Sequence, residues 1–291
     1  MIGYYESTGV YNMTVENYSE KYEVLRRFIA EKGAGGVVVA FSGGVDSSTL
    51  VAVCYDVLGD KVVAVTAESP TYLSAESEDA KRVAQEIGVK HRLIETDEFS
   101  QQDFVKNPEN RCFYCKTELL SSSLSYAHEI GFTTVFEGTN FSDLGGHRPG
   151  FEAVKDDQNV FSPWVEAGFT KDEIRALAKS MGLSVHDKPS LACLASRIPF
   201  GHNITMEKLS RVGSAEQFIT EKFGVRQIRV RDHDGLARVE VGRDERHLLF
   251  DVGAMDTVVE ELKSLGFDFV TFDMEGYRTG SMLVTAENLA N

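Results

Sequence analysis

Four short runs of strand type punctuate the first half of the chain, and stretches of helical periodicity separate them. The runs occupy residues 36–41, 61–66, 90–94 and 133–137. Before the first lies a helical pattern over 15–32 that ends at Gly33. After it come Leu50, Val53, Cys54, Val57 and Leu58 at helical spacing, closed by Gly59, and residues 74–87 read as a further helix. Strands that are apolar on both faces must be covered on both faces, and parallel strands need a crossover between them. The expected class is therefore α/β with a parallel sheet.

The pattern then changes. Thr170-Lys171-Asp172-Glu173 is a capping box that opens another helix. Residues 186–203 hold two prolines and little periodicity, which suggests a long functional loop and a domain boundary near 204. Beyond it, a helix over 205–223, strands over 225–231 and 236–241, helical residues to about 265 and a strand near 268–272 make a small α+β unit. The expected domains are 1–203 and 204–291.

Ser42-Gly43-Gly44-Val45-Asp46-Ser47 occupies the first strand-to-helix junction. Glycines let a backbone approach an anion closely, and a helix N-terminus supplies N–H donors and a favourable dipole. Ser42, Ser47 and Ser48 add hydroxyls. No Gly-Lys-Ser/Thr ends the loop, and Gly33-Ala34-Gly35 precedes the strand, so neither the Walker nor the dinucleotide fingerprint fits. The loop resembles that of the ATP pyrophosphatases, which include GMP, NAD and asparagine synthetases and the sulfur transferases. That resemblance implies an adenine nucleotide alpha hydrolase-like (PP-loop) domain followed by the small α+β C-terminal domain. It also implies cleavage of ATP between its α and β phosphates, with Ser42, Gly43, Gly44, Asp46 and Ser47 at the phosphates. Asp46 would help hold Mg2+, and Ala40, Thr66 and Ala67 would border the adenine.

There are four cysteines, too few for a disulfide scaffold. Cys54 falls on the apolar stripe of a helix and reads as core. Cys112 and Cys115 form a Cys-x-x-Cys pair, and Cys193 lies in Ala192-Cys193-Leu194-Ala195-Ser196-Arg197. A structural zinc site completed by a histidine, a dithiol redox pair, a three-cysteine iron–sulfur cluster and unrelated thiols all remain open on spacing alone. The seven histidines show no metal-ligand spacing, and Trp164 reads as packing.

The context of Cys193 carries a second resemblance. Asp187-Lys188-Pro189 followed by Ala192–Pro199, Glu137-Gly138-Thr139-Asn140, Arg148-Pro149-Gly150, and Arg229-Val230-Arg231 with Leu236–Glu240 are similar to the ATP-dependent sacrificial sulfur transferases, the LarE family. The likeness runs from about residue 15 to 272; Gly146-His147 departs from the acidic-aromatic pair more usual there. It implies a sulfur transferase that adenylates the carboxylates of a pyridinium-3,5-dicarboxylate mononucleotide and replaces their oxygen with sulfur. With Cys112, Cys115 and Cys193 all present, it implies the type in which these three hold a 4Fe–4S cluster, Cys193 being catalytic. Arg229 and Arg231 would bind the substrate phosphate. Arg197 would face substrate or AMP, Asn140 would border the substrate, and Glu240 would be a metal or structural carboxylate. A homo-oligomer, a hexamer being one candidate, and an external sulfur donor are also implied.

Charge fits a small anionic substrate. The formal net charge is −15, which disfavours nucleic acid and anionic membranes as partners. The acidity is uneven. Residues 206–250 carry nine Lys and Arg against eight Asp and Glu, whereas 251–291 carry two against eight. Alternate residues on a strand share a face, so Arg229 and Arg231 also suit a solvated strand face. No run of 18 apolar residues occurs, and the first residues lack a secretory pattern, so a cytoplasmic protein is expected. A tRNA thiolase and an ammonia-using amide ligase are the alternatives; the first would call for a basic RNA-binding surface, and the second would leave the three cysteines without a role.

Overall fold

The computed structural model describes residues 19–72, 74–145, 149–155, 157–189, 192–278, 280–283 and 285. The expectations on 15–18, on Gly146, His147 and Arg148, and on Ser190 and Leu191 lie outside these. Two compact units are present. One comprises Met1–Glu68, Ser74–Thr96 and Cys115–Leu191; the other comprises Ser69–Leu73, Asp97–Tyr114 and Ala192–Asn291.

In chain order the elements are α1 (Ser19–Lys32), β1 (Val37–Ala40), α2 (Val45–Leu58), β2 (Val62–Glu68), α3 (Ser74–Ile87) and β3 (Lys90–Glu95). Then follow α4 (Gln102–Val105), α5 (Arg111–Glu129), β4 (Thr134–Phe136), α6 (Pro149–Lys155), β5 (Val160–Phe161), α7 (Pro163–Glu166) and α8 (Lys171–Ser180). The last set is α9 (Met206–Phe223), β6 (Ile228–His233), β7 (Leu236–Val241), α10 (Val252–Ser264) and β8 (Phe269–Phe272).

The first unit holds a five-stranded parallel sheet in the order β3-β2-β1-β4-β5. Its central strands are buried along their length, as their valine runs demand. Leu50, Val53 and Cys54 of α2 pack on them with Trp164, Phe169, Ile174 and Leu177. Cys54 is a core residue, and burial pushes its thiol far above the ordinary range. The chain winds outward from β1 to β3, then returns to the other side of β1 as β4. This reversal opens a crevice at the carboxyl ends of β1 and β4, where open α/β sheets bind ligands.

The second unit holds a mixed three-stranded sheet, β6-β7-β8, with β6–β7 antiparallel and β7–β8 parallel. Its helix α9 is capped by Thr205 and closed by left-handed Gly224. This unit joins the stretch from Ala192 onward to two earlier segments. Hydrogen bonds explain why: Leu194 N–H donates to Thr71 O (2.8 Å), Ile204 N–H donates to Val105 O (2.9 Å), and Asn107 Nδ2 donates to Ile198 O (3.2 Å) and Pro199 O (2.7 Å). Residues 186–203 are largely irregular but include one 3-10 turn, Leu194–Arg197. Among the described residues no helix is long and apolar enough to cross a membrane.

Candidate active site

The Ser42–Ser47 loop lies at the carboxyl end of β1, at the sheet's reversal point. Gly43 has φ 66°, and a Cβ there would lie 2.9 Å from Ala80 Cα of α3. Only glycine meets both conditions. Gly138, just past β4, needs the same economy, since its Cβ would sit 3.2 Å from Ser47 N. The loop braces itself: Ser42 N–H donates to Ser47 Oγ (3.2 Å), Gly44 N–H to Ser42 Oγ (3.4 Å) and Ser47 Oγ–H to Gly44 O (3.2 Å). The N–H groups of Val45, Asp46 and Ser47 fall in the first turn of α2, where no earlier helical carbonyl can take them. Ser48 Oγ is buried and has no partner among the described residues. An anion such as a polyphosphate suits this array.

Asp46 is held from three directions. Lys171 of α8 pairs with its carboxylate, Asn140 Nδ2 lies 3.4 Å from Oδ1, and Trp164 Nε1–H donates to its main-chain carbonyl at 3.1 Å. Burial pushes the carboxyl above its usual range and outweighs the pull of Lys171. A half-buried carboxylate beside a phosphate cradle is the donor type Mg2+ takes, so Asp46 fits that role. Ala40, Thr66 and Ala67 end up buried near the carboxyl ends of β1 and β2. Thr66 Oγ1 donates to Phe41 O (2.6 Å) and therefore accepts from His91 Nε2 (2.8 Å). Burial and the Lys81 charge lower the His91 pKa, so the ring is neutral.

Sequence reasoning did not assign roles to Lys171, Lys188 and Glu137, although Lys171 lies in the capping box and the other two in the motifs that resemble the sulfur transferases. Lys188 Nζ donates to Gly43 O (3.1 Å) and to Asp79 of α3 (2.7 Å). Glu137 is fully buried and accepts from Lys116 Nζ (2.6 Å), from Thr139 N–H (3.0 Å) and Oγ1–H (2.7 Å), and from Ser162 Oγ–H. The capping box is present as expected, and the helix it starts delivers Lys171.

In the second unit the Cys193 segment is tied down carbonyl by carbonyl. Arg197 donates to Ala192 O and Cys193 O, Arg111 to Ala195 O (3.0 Å), and Arg231 to Ser196 O (3.1 Å). Arg197, 3% exposed, also grips Glu216 through Nε (2.8 Å) and Nη2 (2.7 Å). Its guanidinium is thus engaged by protein groups on both sides. Glu240 is likewise structural, buried between Arg231 (2.7 Å) and Arg238 (3.1 Å).

Arg229 and Arg231 are 7% and 5% exposed, so they do not form a solvated strand face. With Arg111, Ser196, Tyr277, Arg278 and Ser281 they line a cavity of about 210 Å3. Arg229 stacks 5.2 Å over the Tyr277 ring. Burial, then the Arg197 charge, pushes its guanidinium below the usual value. Arg231 Nε is buried without a partner among the described residues. Crowded cations with an unmet donor are relieved by an anionic ligand.

Cys112 and Cys115 lie one turn apart at the start of α5, and Cys193 caps the 3-10 turn. All three retain some exposure, unlike Cys54. Among the described residues, no three His, Cys, Asp or Glu side chains converge as a single metal ion requires. Iron–sulfur clusters are held by thiolates, and Cys112, Cys115 and Cys193 would supply three of the four that a 4Fe–4S cluster commonly takes.

A family model for NAD synthase matches residues 17–114. The Synechocystis protein slr1717 is 40% identical over 262 residues, covering 90% of this chain and 96% of its own. The pyridinium-3,5-bisthiocarboxylic acid mononucleotide synthase of Lactiplantibacillus plantarum is 34% identical over 249 residues, covering 84% and 88%. The tRNA-specific 2-thiouridylase of Parvibaculum lavamentivorans is 29% identical, covering 78% and 64%. The phosphate loop at the sheet reversal and these extended similarities lead to one assignment: the chain belongs to the PP-loop ATP pyrophosphatases, in the LarE family that contains the Lactiplantibacillus synthase.

Proposed function

We propose that this enzyme sulfurates the carboxylates of a pyridinium-3,5-dicarboxylate mononucleotide, using ATP to activate each one. The observation that carries the reading is one chain combining the pyrophosphatase loop with a buried arginine cavity and three accessible thiols, along the length of a relative whose name states that product.

The loop amides from Gly44 onward and the Ser42 and Ser47 hydroxyls bind the β and γ phosphates. Asp46 would hold Mg2+, which would offset the phosphate charge. A substrate carboxylate oxygen attacks the α phosphorus, the α–β bridging bond breaks, and pyrophosphate leaves with its electron pair. The acyl adenylate that results has AMP as a good leaving group. Sulfide adds to the acyl carbon and expels AMP, leaving a thiocarboxylate. Arg229 and Arg231 anchor the substrate phosphate, and Asn140 keeps Asp46 oriented. Cys112, Cys115 and Cys193 would hold a 4Fe–4S cluster, which would supply the sulfur. Arg111 and Arg197 keep the Cys193 segment in place. An external donor restores the sulfide. The enzyme acts as a cytoplasmic homo-oligomer in this reading, and light scattering after gel filtration tests the assembly.

The experiment is anaerobic reconstitution followed by iron and sulfide analysis, then incubation with ATP, Mg2+ and the mononucleotide. Mass spectrometry should show thiocarboxylate and one AMP per sulfur inserted. A loaded enzyme that leaves the substrate mass unchanged would overturn the substrate assignment. Iron content unaltered in Cys112→Ala would overturn the cluster.

A further inference from the structure

A trans peptide places its carbonyl and its N–H on opposite sides of one plane. In the Gly43–Gly44 peptide, the carbonyl receives Lys188 Nζ at 3.1 Å, while the Gly44 N–H faces Ser42 Oγ at 3.4 Å. Rotating that plane by half a turn would bring the carbonyl oxygen, a negative end, to the anion side of the loop. The rotation would also carry Gly44 from its φ of −84° to the region near +96°. Glycine tolerates that region and other residues resist it. The glycines that let the loop approach phosphate therefore also leave it free to flip.

Lys188 is built in on its other side. Asp79 of α3 holds Nζ at 2.7 Å, and Arg175 of α8 donates to the carbonyls of Lys188 (2.8 Å) and His186 (2.8 Å). Ala80, beside Asp79, is the residue against which Gly43 rests. The lysine, its anchor and the loop thus share one packed corner of the first unit. We propose that Lys188 is a positioning residue that locks the Gly43–Gly44 peptide with its N–H toward the phosphates. It supplies order to a loop that lacks a lysine of its own, and it gives a role to the Asp187-Lys188-Pro189 motif.

The proposal rests on the ATP pyrophosphatase assignment, and one titration separates the two. Calorimetry with inorganic pyrophosphate and with ATP is run on wild type, Lys188→Met, Asp79→Asn, Gly44→Ala and Gly44→Ala/Lys188→Met. Lys188→Met should weaken pyrophosphate binding about tenfold or more, the value of a charge-assisted hydrogen bond, with an unchanged melting temperature. Asp79→Asn should also weaken it, because the freed lysine no longer pins the carbonyl. In the Gly44→Ala background the Lys188→Met penalty should shrink to under about threefold, since Cβ now blocks the flip. If Lys188 instead touches phosphate directly, Asp79→Asn leaves affinity unchanged or improved and the Gly44→Ala background rescues nothing; either result overturns the lock. Pyrophosphate affinity unaltered in Lys188→Met overturns it too. Wild type that binds neither ligand would overturn the pyrophosphatase assignment and the lock with it.

Discussion

Removing Arg197 tests whether the Cys193 segment is held by a buried ion pair or by a ligand. The guanidinium and the Glu216 carboxylate are both almost fully buried, joined by two hydrogen bonds of 2.8 and 2.7 Å. Glu216 also accepts the Val230 N–H at 2.9 Å, which ties α9 to β6. In Arg197→Ala the carboxylate loses both guanidinium bonds and keeps the Val230 N–H and the nearby Arg229 charge; the Ala192 carbonyl loses its guanidinium donor, while Cys193 O keeps those from Ser196. Breaking one side of a buried pair costs about 3–5 kcal/mol. At about 2–4 °C per kcal/mol for a domain of this size, the melting temperature should fall by roughly 6–20 °C. The double variant Arg197→Met/Glu216→Leu removes both charges and fills the space, so it should recover to within about 2 kcal/mol of wild type. Urea titration followed by circular dichroism measures both, while Trp164, the one tryptophan, reports on the first unit by fluorescence. An Arg197→Ala protein within about 1 kcal/mol of wild type that has nonetheless lost sulfur transfer would refute the structural role and restore Arg197 to the substrate.

Asp46→Asn should abolish pyrophosphate release and still raise the melting point of the free protein. Its carboxyl is pushed up chiefly by burial, so the folded state binds the proton more tightly and loses stability as pH rises through that value. The stabilisation should therefore shrink as pH falls through the folded-state value and vanish once pH is below the ordinary carboxylate range. Glu137 has the opposite sign: burial pushes it up, but Lys116 and the Ser162 and Thr139 donors hold it below the usual range. Glu137→Gln should cost about 1.5–3 kcal/mol at pH 7, and the difference from wild type should narrow as pH falls below about 4. Thiol titration under native conditions should label Cys112 fastest and leave Cys54 untouched until denaturant is added, because the first is exposed and the second is sealed in the core.

The local devices were legible in the residues. Valine runs at 37–39 and 62–63 can only be buried strands, Thr170 and Glu173 can only cap each other, and two glycines before an aspartate at a strand-to-helix turn announce an anion. Each follows from side chains a few positions apart, which is as far as helical and strand periodicity reaches. The charges that complete the site were not legible. Lys171, Lys188 and Trp164 stand 125, 145 and 118 residues from their partners in the loop. They arrive only because the chain crosses to the other side of β1 and inserts β4 there. The same holds for the arginines. On a strand, Arg229 and Arg231 could have faced water. Packing decided otherwise, since a buried cation must find a carboxylate or an anion, and only the folded chain determines which of the two is within reach.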